Sequence, residues 1–300
     1  MVHPPDTLAI LALALGIEAA SGYPDAVYKA IGHPVTWIGR LISGLERGLN
    51  RGSEGRRRVA GCLALVLLLA ATGLPAWALT GLALWAGPLP GFLLLGLLCA
   101  SLPAQRSLND HVAAVETALR EGGLEAGRRA VAMIVGRDPD RLAAPAVCRA
   151  AIESLAENFS DGIVAPSFWI GCLGLPGGVL YKAINTADSM IGHRTPRYAA
   201  YGWAAARLDD LVNLPASRLA GLLIVGAAAL RGADARGALG RWPAMPAATA
   251  RPMPAGPRPP WPGRSACGSR ARGSMTAPSS PTPIWATAGP RPRPTTSPGR

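Results

Sequence analysis

From Val59 to Gln105 the chain carries no charged residue, 47 positions made mostly of leucine and alanine. A bilayer-crossing helix needs about 20 predominantly apolar residues, so the run accommodates two spans, 59–79 and 81–103. They would join near Thr80 and Gly81, or at the break Gly87-Pro88-Leu89-Pro90-Gly91. Arg51, Arg56, Arg57 and Arg58 precede the run and Arg106 follows it. Basic residues are retained on the cytoplasmic side of a membrane, which predicts that both ends of this hairpin lie there.

Three further apolar stretches extend the pattern. Residues 5–20 are short and interrupted by Glu18, and predict a short first span or an interfacial helix. Residues 162–181 have spanning length but contain Pro166, Pro176 and five glycines. A broken or re-entrant segment fits, because non-helical backbone at membrane depth needs protein or water around it. Residues 214–230 read as a last span. The fold class expected is all-α: a multi-pass integral membrane protein of the cell (inner) membrane, with a helical section on the cytoplasmic side.

The formal net charge of +12 misleads unless it is divided. Residues 241–300 hold nine arginines and no Lys, Asp or Glu, leaving +3 for residues 1–240. The same sixty positions hold 15 of the 29 prolines and no leucine. We therefore expect a membrane-embedded domain over 1–240 and a Pro/Arg-rich tail over 241–300 that cannot bury a core and is disordered. No nucleic-acid partner is implied, since the charge is not spread over the chain. The five cysteines are widely spaced, with no CxxC pair, and suggest neither a disulfide framework nor a zinc site.

Polar chemistry concentrates between the apolar stretches. Residues 106–161 have helical spacing with an amphipathic pattern, a helix through AAVETALREGGLEAGRRAVAMIVG, a turn at Arg137-Asp138-Pro139-Asp140, and a second helix through CRAAIESLAENFSDG. In that second helix Arg149, Glu153 and Glu157 recur every four residues and Asp161 extends the series, which puts them on one face. Carboxylates grouped at a membrane face can hold Mg²⁺ through one or two oxygens plus substrate phosphates. A solvated face with an Arg–Glu pair explains the same spacing. A second cluster is Asn185, Thr186, Asp188 and Ser189, and a third is Arg207, Asp209, Asp210 and Asn213. Ionisable groups at membrane depth are costly and so are functional candidates. His33 and His193 stay ambiguous on chemistry alone. No phosphate-binding loop, HExxH or GxSxG motif is present.

At these residues the chain resembles the CobD/CbiB family. HPVTWIGRLISGLERGLN at 33–50, AGRRAVAMIVGRDPD at 126–140, AIESLAENFSDGIVAPSFW at 151–169 and LYKAINTADSMIGHRTPRYAAYGWAAARLDDLVNLPASRL at 180–219 carry the likeness. The motifs IVGRD, ESxxEN, SDGxxxP, NTxDSMIG and ARxDDxxN come in the family's order, and the likeness spans about residues 5–235. It implies an integral membrane protein of cobalamin biosynthesis and adenosylcobinamide-phosphate synthase activity. In that reaction a corrinoid substrate, adenosylcobyric acid, is joined through an amide to aminopropanol or its O-phosphate, with ATP and Mg²⁺ and no tightly bound cofactor. Other membrane proteins of the pathway are possible partners. On this reading Glu153, Glu157 and Asp161 hold the metal and Arg137 contacts phosphate. Asn158, Asp188, Asp209 and Asp210, with Glu153 and Glu157, are the catalytic candidates, and Asn185, Ser189, Arg207 and Asn213 complete the substrate and nucleotide site. An alternative is a non-catalytic membrane sensor of the AmpE-like type, against which the intact ESxxEN and NTxDSM clusters argue.

Two departures from the family pattern stand out. Gly22-Tyr23-Pro24-Asp25 occupies the place of a GDP-like triplet. After about Gly240 the pattern gives way to the Pro/Arg chain, where the family continues with an SPNAGWPE-like motif. Regrouping allowed codons for 241–276 from each third base permits the reading SPDAGWPEAAMAGAL. A frameshift near residue 240 is therefore expected, and with it impaired activity of this chain.

Overall fold

The computed structural model describes residues 4–132 and 144–232. These residues are helical, with no strand among them. Helix α1 (Pro4–Ser21) is followed by the short α2 (Asp25–Ile31) and α3 (Pro34–Leu49). Then come α4 (Glu54–Trp85), α5 (Pro88–Ala100) and α6 (Gln105–Ala132). The last three are α7 (Ala144–Phe159), α8 (Ala165–Ile191) and α9 (Trp203–Leu230). A turn of π-helix, Ser160–Val164, joins α7 to α8. Arg137, Gly136 and the whole tail 241–300 fall outside the described residues.

Four helical stretches are long and apolar enough to cross a membrane: Glu54–Trp85, Pro88–Ala132, Pro145–Ile191 and Trp203–Leu230. The chain is an all-α, multi-pass membrane protein. The expected division of the uncharged run needs correction. Of the two joins expected, the break falls at the second, Gly87, while Thr80 and Gly81 lie inside α4, so 81–103 is not one helix. The 32 residues of α4 reach roughly 48 Å at 1.5 Å per residue, beyond the hydrocarbon thickness. The 13 residues of α5 reach only about 20 Å and return alongside α4. Apolarity is uniform across 59–105, so only the Gly-Pro step could set the register of the break.

Two helices reverse on glycine. In α8, Gly174 takes φ 67°, a left-handed conformation that a side chain resists. Gly177 then packs against the Trp169 carbonyl and Gly178 against Ile170. Residues eight apart in a continuous helix are separated by about 12 Å, so the two arms of α8 fold back on each other. A break does fall within 162–181, at Gly174. The reversal in α6 is of the same kind. Gly123 has φ 69°, and Gly127 abuts Leu119. The single amphipathic helix expected there is a pair of antiparallel arms. Val115, Val131, Val147 and Ala151 form its small core with α7.

Two apolar clusters hold the membrane body. One joins Ile10 and Ala14 of α1, Ala76 and Ala83 of α4, Leu95 and Cys99 of α5, and Ile170 and Leu175 at the bend of α8. The other joins Ile38 and Ile42 of α3, Ala64 and Leu68 of α4, Ala183 and Ala187 of α8, and Tyr201 and Ala205. Val59, Leu63, Val66, Trp77 and Trp85 on α4 face outward, as lipid contact requires. Glu18 is a charge that the short first segment could not explain. It is buried, and its carboxylate accepts from the Arg106 backbone N–H at 3.1 and 3.3 Å. It thereby satisfies an orphan donor at the start of α6.

Candidate functional site

The π-turn at Ser160–Val164 decides how the acidic series is presented. Glu153 and Glu157 on α7 are exposed, while Asp161 turns inward and is half-buried. A wider turn rotates the residues after it, so the single face read from the i, i+4, i+8 spacing ends before Asp161. The charge of Glu157 still acts on Asp161. Asn158 donates to the Ser154 carbonyl at 2.8 Å within its own helix.

Around Asp161 the re-entrant arm and α9 bring the other motifs together. The Tyr181 hydroxyl lies 3.2 Å from the Asp161 carbonyl oxygen and 2.9 Å from Asn213 Oδ1. Asn213 Nδ2 donates to Asp209 Oδ2 at 2.9 Å. Asn185 Nδ2 lies 3.5 Å from Asp209 Oδ1. Asn185, Asp209 and Asn213 are all buried. Asp188 sits one turn beyond Asn185, and the charges of Asp161 and Asp188 both act on Asp209. Three sequence clusters more than twenty residues apart thus meet in one polar network.

Ser189, Arg207 and Asp210 bond to partners other than Asp209 and Asn213, though the charge of Asp210 acts on Asp188. Ser189 donates to the Asn185 carbonyl at 2.9 Å, closing on its own helix. Arg207 and Asp210 pair with each other at 3.0 Å on the outer part of α9. Among the described residues, no group of three or more His, Cys, Asp or Glu side chains is placed to hold a metal ion.

Lys182 was not singled out from the sequence, yet it is fully buried one residue from Tyr181. An ammonium out of water costs several kcal/mol, of order, unless compensated, and the charge of Asp161 acts on it. His33 approaches from α3. Its ring Nδ1 accepts from the Val35 N–H at 3.3 Å, capping the helix, and the ring lies tilted against Tyr23 with centroids 4.4 Å apart. The charge of Lys182 reaches it. One signal could have identified Lys182: it is the sole charged residue between Asp161 and Asp188.

A family model described as CobD/Cbib protein matches residues 11–255, so the match runs past Gly240, where the motif pattern changes. The chain is 55% identical over 234 residues to "Cobalamin biosynthesis protein CobD" of Sinorhizobium sp, covering 76% of this chain and 71% of that protein. The same-named protein of Rhodobacter capsulatus is 56% identical over 227 residues, covering 74% and 70%. That of Brucella suis is 48% identical over 225 residues, covering 74% and 68%. No solved structure matches. Asn185, Asp209 and Asn213, drawn from separate motifs into one buried network, belong to a chain that is a member of the CobD/Cbib family of cobalamin biosynthesis.

Proposed function

We propose that this protein forms the amide bond between adenosylcobyric acid and aminopropanol or its O-phosphate, at the expense of ATP. The observation that carries the reading is the junction of the SDG, NTADS and ARLDD motifs at Asp161, Asn185, Asp188, Asp209 and Asn213. A carboxylate is a poor acyl donor. ATP would convert it to an acyl phosphate and release ADP; the amine then attacks the carbonyl carbon, phosphate leaves, and the amine proton passes to a carboxylate. Three carboxylates and one ammonium in a buried wall suit a cationic amine and its proton.

Mg²⁺, when bound, would neutralise phosphate charge. It is usually held by one or two carboxylates plus substrate phosphates rather than by a full protein cage. Glu157 and Asp161 are the pair closest to the cluster, with Glu153 one turn farther. Arg137, from the IVGRD motif, would meet phosphate. The expected location is the inner membrane with this end of the bundle cytoplasmic. The tail from about residue 240 is proposed to be read out of frame, which would impair this chain.

The test is complementation of a strain lacking the amide-forming step, together with turnover of the full chain in nanodiscs, offering free and phosphorylated aminopropanol separately. ATP-dependent product is expected with one of the two amines. Full turnover by both Asp188→Asn and Asp209→Asn would show that the cluster is not the site.

A further inference from the structure

A second polar site lies at the end of the bundle where α3 stops and α4 begins. It is a cavity of about 540 Å³ lined by Glu46, Arg47, Asn50, Arg51, Arg57 and Arg197, with Gly52 completing the wall. Four of these are arginines, and Glu46 is the single carboxylate among them. Two of the guanidinium groups are held in place. Arg197 binds both oxygens of buried Glu46, at 3.0 and 2.9 Å. Arg57 donates to Asn50 Oδ1 at 2.8 Å, to the Pro196 carbonyl at 3.0 Å and to the Arg197 carbonyl. Asn50 in turn donates to Glu46 at 2.8 Å. Arg47 donates from Nε to the Ser43 carbonyl at 3.2 Å, leaving its terminal nitrogens turned from that bond.

The outcome is a pre-ordered cationic wall, three of whose arginines come from the α3–α4 junction and one from the 192–202 loop. Arginine forks match phosphate oxygens in pairs. The level is also informative. Val59, two residues past Arg57, already faces outward, and Arg58 stacks at 4.1 Å over Trp203. An arginine and a tryptophan at the edge of an apolar helix mark a membrane–water interface.

We propose that this pocket binds a phosphate-bearing anion, separately from the Asp161–Asp209 cluster. An anionic phospholipid headgroup and a soluble phosphate share that chemistry. The full chain is placed in nanodiscs of phosphatidylcholine alone, or with phosphatidylglycerol, and in phosphatidylcholine discs with added inorganic phosphate or pyrophosphate. Thermal unfolding is followed by tryptophan fluorescence. A rise in Tm with phosphatidylglycerol only assigns the headgroup, and a rise with the soluble anions assigns free phosphate. The variant Arg47→Gln/Arg51→Gln spares the Glu46–Arg197–Asn50–Arg57 network and should lose the rise while keeping its Tm in phosphatidylcholine. No rise in any arm, or a rise that persists in the variant, overturns the proposal.

Discussion

Asp209 illustrates what one side chain decides. Both of its oxygens face an amide donor, from Asn185 and from Asn213. Replacing it with alanine strands two buried donors, each costing about 1–3 kcal/mol, and a lowered Tm is expected in detergent melts. Asp209→Asn keeps the shape but removes a charge. If the cluster performs the proposed chemistry, turnover falls on the order of 10²-fold or more with a much smaller change in Tm. Tyr181→Phe removes the hydroxyl that links Asp161 to Asn213. It should cost roughly 1 kcal/mol, read as a lower Tm, and an unchanged Tm would show that the link is not made. Asn185, Asp188, Asp209 and Asn213 stood out in the sequence because polar groups are out of place beside apolar spans. Tyr181 did not, since it sits within an apolar run and reveals its role only by what it faces, whereas Lys182 carried a signal as the sole charge between Asp161 and Asp188.

At the scale of elements, the reversals matter most. Gly174→Ala forces a side chain into the left-handed region, at about 1–2 kcal/mol. It should lower Tm and loosen the Thr7 hydroxyl bond to the Gly171 carbonyl, now 2.6 Å. Gly61 of α4 sits directly against the Tyr201 carbonyl. Gly61→Val would push backbone from backbone and cost about 1–3 kcal/mol or more, seen as poor recovery of folded protein from membranes; normal recovery and Tm would disprove the close approach. The glycines and prolines of 162–181 made a broken segment legible beforehand. In α6 the Gly122-Gly123 step was equally visible, but a continuous amphipathic period masked it. In 59–105 the Gly87-Pro88 step marked where α4 ends, but with no polar residue beside it the sequence did not choose between that step and Thr80-Gly81.

The whole molecule has an asymmetry that labelling can read. Cys148 on α7 is exposed, Cys172 is exposed two residues before the α8 break at Gly174, and Cys99 is buried. Single-cysteine variants treated with a membrane-impermeant maleimide should label Cys148 from one side only, leave Cys172 untouched from that side, and spare Cys99. Labelling of Cys148 and Cys172 from the same face would contradict the folded-back α8. A frame-restored version of the coding region after about residue 240 is expected to complement better than the chain as given. Equal complementation by both would remove the frameshift proposal.

The sequence by itself determined that this chain is helical and lives in a membrane, because 47 uncharged residues leave the backbone no partner but itself. Its ordered motifs also determined the family. Tertiary structure alone decided which polar residues meet. The fold-back at Gly174 brings residues around 181–188 level with Asp161, and α9 supplies Asp209 and Asn213 from the far side. The physical reason is that periodicity reports the face a residue occupies on its own helix. Which neighbour covers that face depends on the packing of helices far apart in the chain, and a π-turn or a left-handed glycine can redirect it without changing the pattern.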